Sequence, residues 1–112
     1  MGGVVRSSFG KPLAIVRYTT IIAANTTVNI LPIWPLLGWG TIRLFIESDV
    51  AGTFNFLQKA RNGTFRQSDS QAVAAATGTP IEVSCAADYG RLQYANGGTI
   101  QTRFTFNATL HP

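Results

Sequence analysis

The C-terminal part of the chain alternates between apolar and polar residues with a period of two. Because successive side chains of a β-strand point to opposite faces, this pattern predicts a long strand with one buried face. The residues predicted to face inward are Ile100, Thr102, Phe104, Phe106, Ala108 and Leu110, and those predicted to face outward are Gln101, Arg103, Thr105, Asn107 and Thr109. Shorter stretches repeat the alternation and place inward Thr26, Val28 and Ile30, then Ile42, Leu44 and Ile46, then Phe54 and Phe56, then Ile81, Val83 and Cys85, and lastly Leu92 and Tyr94.

Turn signals separate these stretches. Asn62-Gly63 and Asn96-Gly97 supply the positive φ angles that hairpin loops need, and Asp49 to Gly52 and Gly78 to Pro80 are interpreted as further turns. The turns recur about every 8 to 12 residues, the spacing of a sandwich or barrel. Residues 71–76 are too few for a stable helix and are predicted as a strand or a single turn. The sequence therefore predicts an all-β fold, a single antiparallel β-sandwich of about seven to nine strands, either jelly-roll-like or immunoglobulin-like.

The chain of 112 residues is long enough for one hydrophobic core and too short for two. Residues 1–12, MGGVVRSSFGKP, contain Gly and Ser and end at a proline, so they are predicted to form a flexible, extended N-terminal arm on a sandwich of residues 13–112. They lack the continuous apolar core of a signal peptide, so cytoplasmic synthesis is expected. The apolar stretch from Val28 to Ile46 is interrupted by Pro, Gly and Arg, so no membrane span is expected.

Charged side chains are scarce. They make up 12% of the residues, about half of the roughly 25% typical of soluble domains, and uncharged polar residues such as Thr, Asn, Gln and Ser take their place. An uncharged polar surface loses less hydration than a charged one when a partner covers it, which favours a component of an assembly. The net charge is +4, but the arginines are spread along the sequence and form no patch, so no nucleic-acid partner is expected.

The sequence offers little with which to catalyse a reaction. Its one histidine, His111, is penultimate, so no general base is predicted beside a Ser, Thr or Cys nucleophile. The few acidic residues lie mostly in or beside turns, where Asp49 and Asp69 are predicted to accept hydrogen bonds from nearby backbone. The lone Cys85 can form neither an intramolecular disulfide nor a cysteine-based metal site, and it is interpreted as a small buried hydrophobe. We therefore expect a protein that is not an enzyme, with no catalytic residue, metal or cofactor.

The segment LPIWPLLGWG, residues 31–40, is the most unusual part of the sequence. Its two prolines and two glycines are predicted to prevent regular strand pairing, whereas its tryptophans and leucines are too apolar to be left in water. Either it is a loop folded over the end of its own core, or it is a hydrophobic contact surface for another subunit. Phe45, an outward aromatic in a predicted strand, likewise needs a partner.

Four segments in the second part of the chain carry a family resemblance: SDVAGTFNFLQ at 48–58, NGTFR at 62–66, ADYGRLQYANGG at 87–98 and TIQTRFTFNATL at 99–110. In this order they resemble the small β-sandwich structural proteins of tailed-phage particles and prophages. The resemblance covers somewhat more than half of the chain and does not extend to its N-terminal third. It implies a virion structural protein of the head decoration or cement type and brings no catalytic residues. It also implies that Tyr89 and Arg91 share a strand face and that a turn at Asn96 closes a hairpin.

These features together predict a capsid decoration or cement protein on the capsid surface of the virion, made in the host cytoplasm, that binds the outside of the major capsid lattice and stabilises it. Its expected partners are the major capsid protein and further copies of itself, as a dimer or trimer, because contacts repeated around a shell add avidity. The predicted contact residues are Val4, Val5, Arg6, Phe9 and Lys11 of the arm, together with Trp34, Leu36, Leu37, Trp39 and Phe45. The alternative is a tail- or fibre-associated module that binds a receptor or a glycan through Trp34, Trp39 or Tyr94.

Overall fold

The computed structural model describes residues 12–112, and that part of the chain contains eight β-strands and no helix. The strands are β1 (Leu13–Tyr18), β2 (Thr27–Pro35), β3 (Thr41–Ser48), β4 (Gly52–Lys59), β5 (Arg66–Val73), β6 (Thr77–Ser84), β7 (Tyr89–Asn96) and β8 (Phe104–His111). The predicted all-β fold and strand number are confirmed. The predicted arm lies outside the described residues except for Pro12.

The strands form two four-stranded antiparallel sheets that pack face to face. Sheet A has the order β1-β8-β3-β6 and sheet B the order β2-β7-β4-β5. Only β4 and β5 are consecutive strands paired within one sheet, since every other connection crosses from one sheet to the other. Eight strands in this double-sheet Greek-key arrangement form a jelly roll. The topology thus selects the jelly roll over the immunoglobulin-like alternative.

The hydrophobic core lies between the two sheets. Sheet A contributes Ile42, Leu44, Ile46, Ile81, Val83, Phe104, Phe106, Ala108 and Leu110, and sheet B contributes Ile30, Phe54, Phe56, Val73, Leu92 and Tyr94. Aromatic rings join the layers, because the Phe54 and Phe106 centroids are 5.9 Å apart and those of Tyr94 and Phe104 are 4.8 Å apart. The inward alternation predicted for β3, β4, β7 and the Phe104 to Leu110 part of β8 is therefore confirmed.

The predicted strand from Ile100 to Leu110 is wrong at its beginning. Residues 97–103 form the connection that takes the chain from sheet B to sheet A, and β8 starts only at Phe104. In this connection Ile100 is 75% exposed and Gln101 only 2% exposed, the reverse of the predicted faces. For the same reason Asn96-Gly97 does not close a hairpin, since the strands on either side of it belong to different sheets.

The predicted turn at Gly78 to Pro80 is also wrong, because these residues lie within β6. β6 is an edge strand of sheet A and pairs only with β3, where Pro80 lies opposite Phe45. An edge strand tolerates proline because one side of it does not have to donate hydrogen bonds to a neighbour. The hairpin predicted at Asn62-Gly63 is correct and joins β4 to β5, but neither residue has the positive φ angle that was predicted for it.

Buried amide groups hold together the loops at one end of the sandwich, which we call the Gln101 end. It comprises the loops 19–26, 49–51, 74–76 and 97–103. The Gln101 side chain accepts a hydrogen bond from the Ile22 N–H at 2.7 Å and donates one to the Ser48 hydroxyl at 3.1 Å. The Asn96 amide donates to the Ile22 carbonyl at 3.0 Å. Gln101 thus takes the place of backbone pairing where the strands have ended.

Candidate interaction surface

The opposite end of the sandwich, the Trp39 end, carries the segment that the sequence singled out. It comprises the loops 36–40, 60–65 and 85–88. Backbone hydrogen bonds tie these loops together, from Leu36 N to Asp88 O at 2.8 Å and from Asp88 N to Lys59 O at 3.1 Å. The loop backbone here is therefore fixed by the sheets on which it rests.

A tight turn at residues 36–39 separates two leucines that are adjacent in sequence. The Trp39 N–H donates to the Leu36 carbonyl at 3.0 Å, and Gly38 has a φ of 87°, as the third residue of a type II turn requires. Leu36 is 2% exposed and fills the core, whereas Leu37 at the corner of the turn is 74% exposed. The Leu36 side chain is thus packed inside the domain and is not accessible to a partner, while Leu37 is held out into solvent.

The tryptophans lie between these extremes. Trp34 and Trp39 are both half-buried and pack against the core. Contrary to the prediction that residues 31–40 cannot pair regularly, β2 continues through Pro35 as an edge strand, with register shifts between Asn29 and Trp34. The segment covers its own core, as the first alternative proposed from the sequence states, and it also leaves the Ile33 and Leu37 side chains exposed.

The other predicted contact residues are not gathered at this end. Phe45 lies in the middle of the outer face of sheet A, 45% exposed, and its ring packs over Gly78, where an added Cβ would be 2.3 Å from the ring. Val4, Val5, Arg6, Phe9 and Lys11 lie outside the described residues. β1 begins at Leu13, opposite Leu110 and beside the Trp39 end, so the chain enters the domain there.

The glycan alternative named Tyr94, but this residue is completely buried between the sheets. Its ring is therefore not available to stack on a sugar, and that part of the prediction is wrong. Burial also raises the pKa of the Tyr94 phenol. Its neighbours on β7 that face outward, Tyr89 and Arg91, share one strand face as the resemblance implied.

Tyr89 and Arg91 belong to a cluster of cationic and aromatic side chains that the sequence reasoning missed. The Arg91 guanidinium lies 4.1 Å from the Phe65 ring centroid, and the Lys59 ammonium lies 5.3 Å from Phe65 and 5.6 Å from Tyr89. The hairpin signal at Asn62-Gly63 indicates only that Phe65 returns beside Lys59, and it does not indicate that β7 adds Tyr89 and Arg91. We call Lys59, Phe65, Tyr89 and Arg91 the cation-aromatic cluster.

Titratable groups elsewhere have structural partners. Asp49 accepts hydrogen bonds from the Thr102 hydroxyl and from the N–H groups of Thr102 and Arg103, which together lower its pKa to about 2. Asp49 thus bonds to backbone that is distant in sequence, and not to nearby backbone as was predicted, and Asp69 lies within β5 and not in a turn. Cys85 is half-buried against the core, and this burial raises the pKa of its thiol.

Residues 12–112 contain neither a candidate metal centre nor a long apolar helix. No group of three or more His, Cys, Asp or Glu side chains there is arranged to hold a metal ion. The same part of the chain has no helix long and apolar enough to cross a membrane.

These observations define the class of the protein: a jelly-roll domain with an exposed apolar turn at one end. The chain belongs to the family of the N-terminal domain of the uncharacterised protein YqxG, whose sequence profile matches residues 39–111. No curated protein matches its sequence.

Solved structures share the fold at low sequence identity. The PBSX exported protein XepA is 20% identical with a TM-score of 0.77, and the likeness covers 91% of this chain. This chain spans only 37% of the XepA chain. The Yersinia pseudotuberculosis-derived mitogen is 13% identical with a TM-score of 0.62, covering 91% of this chain and 87% of the mitogen. A disulfide-linked pilus protein of Bacillus endospore appendages is 14% identical with a TM-score of 0.52, covering 92% of this chain and 91% of that one.

Proposed function

We propose that this chain is a structural protein of a phage particle, a decoration or cement protein that binds the outside of the major capsid lattice and stabilises it. It acts by holding protein surfaces together and not by catalysis. The observation that carries the proposal is Leu37, a large apolar side chain fixed in solvent by a rigid turn on a domain with few charges. An apolar residue held in this way loses little conformational entropy when a partner covers it.

The similar structures support a role in assembly. XepA is a PBSX exported protein, and the endospore appendage protein is a subunit of pili. Both share the sandwich fold of this chain, and the loop ends of such a sandwich can be covered by a neighbour. In this chain the Trp39 end presents Leu37 and the half-buried Trp39, and the adjoining end of β2 adds Ile33 and the half-buried Trp34. Aromatic residues are common anchors of protein interfaces.

Copies of this protein would occupy repeated positions on a shell. One turn buries too little area for tight binding, so the proposal requires either self-association as a dimer or trimer, or further contacts from residues 1–11. Each contact is then modest and the assembly is held by their number. The expected partners are the major capsid protein and other copies of this chain.

The test compares two aliphatic side chains, Leu37 and Ile100, that are similarly exposed at opposite ends of the sandwich. Leu37→Ser and the control Ile100→Ser each remove an apolar side chain that is about three-quarters exposed. Retention on shells assembled from the particle's major capsid protein is measured by co-sedimentation. We expect Leu37→Ser to reduce retention at least about tenfold, a loss of about 1.4 kcal/mol, while Ile100→Ser retains the wild-type value.

Two further results would contradict the proposal. If the wild-type protein does not sediment with shells, the protein does not bind the capsid lattice and the proposal is wrong. Equal retention of Leu37→Ser and wild type places the contact elsewhere than the Trp39 end. Deletion of residues 1–11 tests the predicted arm separately, and the expected result is a folded protein with reduced retention.

A further inference from the structure

The outer face of sheet B carries a row of uncharged hydrogen-bonding side chains across all of its strands. Ser70 of β5, Asn55 of β4, Gln93 of β7 and Asn29 of β2 lie directly opposite one another in the strand register. We call these residues the amide row. Since neighbouring strands are about 4.8 Å apart, the row is roughly 14 Å long.

Hydrogen bonds connect the amide row in one direction. The Ser70 hydroxyl donates to Asn55 Oδ1 at 2.9 Å, Asn55 Nδ2 donates to Gln93 Oε1 at 3.5 Å, and Gln93 Nε2 donates to Asn29 Oδ1 at 2.9 Å. Each amide nitrogen has two N–H groups and donates at most one of them within the row, so the Asn and Gln side chains retain hydrogen-bonding capacity beyond these bonds. The hydrogen bonds therefore fix the orientation of the side chains in the amide row, and the row still offers both donors and acceptors to a ligand.

The cation-aromatic cluster lies on the same face, next to the amide row. Arg91 is two residues from Gln93 on β7, and Lys59 lies opposite Tyr89. The Arg91 Nε donates to the Pro32 carbonyl at 2.9 Å while its guanidinium rests on Phe65. A guanidinium has five donors, so this arrangement orients Arg91 and leaves its terminal nitrogens free for an anion.

No carboxylate opposes these cations on the outward positions of the described sheet. The outward residues of β4 and β7 include no Asp or Glu, and Asp69 of β5 lies opposite the buried Phe56, on the other side of the strand. Sheet A differs, because its outer face pairs Arg43 with Glu82 at 2.8 Å. Within residues 12–112, sheet B thus combines cations that form no ion pair with neutral polar groups on one face.

We propose that the outer face of sheet B binds an acidic glycan. Sugar hydroxyls are both donors and acceptors and complement the amide row, and the carboxylates of the glycan pair with Arg91 and Lys59. A single-stranded nucleic acid would need open aromatic rings for its bases, and the Phe65 ring is covered by Arg91. This proposal is independent of the binding to capsids, since it uses a face of the sandwich and not the Trp39 end.

The test uses polysialic acid and polygalacturonate as acidic probes, dextran as a neutral glycan and oligo(dT) as a nucleic acid. Binding is measured by isothermal titration calorimetry at about 0.15 M salt, where long-range attraction between exposed charges is largely screened. We expect at least one acidic glycan to bind the wild-type protein and dextran and oligo(dT) to bind more weakly.

Variants connect the binding to this face. Arg91→Gln and the double variant Asn55→Ala with Gln93→Ala are each expected to weaken acidic-glycan binding about tenfold or more. Arg43→Gln, the matched control on sheet A, is expected to bind as wild type does. Thermal unfolding of each variant checks that it is folded, and Lys59→Gln provides a second cation variant if Arg91→Gln is unstable.

Three results overturn the proposal: no binding of either acidic glycan, binding of dextran or oligo(dT) as strong as that of the acidic glycans, or equal effects of Arg91→Gln and Arg43→Gln. The capsid proposal has a separate readout. Leu37→Ser is expected to bind glycan normally, and Arg91→Gln is expected to be retained on shells normally.

Discussion

Replacing Gln101 by methionine tests whether one buried amide holds the loops of the Gln101 end together. Methionine has a similar size and length, so the substitution adds no cavity of note, but it accepts no strong hydrogen bond. The Ile22 N–H, which donates to Gln101 at 2.7 Å, loses its acceptor in a place where water does not reach it. Ser48 keeps its bond from the Val50 N–H at 3.2 Å.

The expected cost follows from the single unpaired group. A buried donor left without an acceptor costs about 1 to 3 kcal/mol, so the free energy of unfolding should fall by that amount. For a domain of this size, about 1 kcal/mol corresponds to roughly 4 °C, so the midpoint of thermal unfolding should fall by roughly 4 to 12 °C. Urea unfolding followed by tryptophan fluorescence measures the free energy, and circular dichroism measures the midpoint.

Gln67→Met is the matched control. Gln67 is exposed on the edge strand β5, so the same chemical change there should alter the unfolding free energy by no more than about 0.5 kcal/mol. If Gln101→Met unfolds at the same urea concentration as Gln67→Met and wild type, the buried amide does not stabilise the loops and the reasoning is refuted.

Three further substitutions test other parts of the fold. Gly52→Ala places a Cβ 2.3 Å from the hydroxyl of the buried Tyr94, so we expect a loss of about 1 to 3 kcal/mol in urea unfolding, and a wild-type midpoint would contradict the close approach. Phe106→Ala empties a fully buried site and should cost about 3 to 5 kcal/mol by the same measurement. Because the folded-state pKa of Asp49 is lowered to about 2 from 3.8, its bonds to Thr102 stabilise the protein above pH 4 and are lost as the pH falls through 2. Asp49→Asn should therefore show a smaller loss of stability between pH 4 and pH 2, measured by thermal unfolding, and equal pH profiles would contradict this role.

The inward faces of the strands could be predicted because one face of each strand must be apolar wherever it meets the other sheet. Ile42, Leu44 and Ile46 show this, as do Phe104 and Phe106, and all of them are buried. The connections could not be predicted in the same way. Asn96-Gly97 has the local chemistry of a hairpin, but whether the next strand pairs in the same sheet depends on residues far away in sequence.

Only part of the candidate surface could be predicted, because local composition does not determine which side chains are exposed. The sequence indicates that residues 31–40 are too apolar to be left in water. It does not indicate which of the two adjacent leucines is buried, and in the structure Leu36 is buried and Leu37 is exposed. Gly38 determines which one points outward, because its positive φ closes the turn with Leu37 at the corner. The cation-aromatic cluster depends on β4, β7 and the hairpin loop meeting on one face, which no local pattern reveals.

The position of β8 in sheet A affects how the protein can be made. β8 is the last strand of the described chain, yet it lies between β1 and β3 at the centre of its sheet. During translation β1 has no hydrogen-bonding neighbour in sheet A until residues 104–111 have left the ribosome. In contrast, all four strands of sheet B have been synthesised by Asn96. Such non-local pairing slows folding to about milliseconds to seconds. A chain that lacks residues 104–111 would therefore have sheet A divided into β1 on one side and the β3-β6 pair on the other.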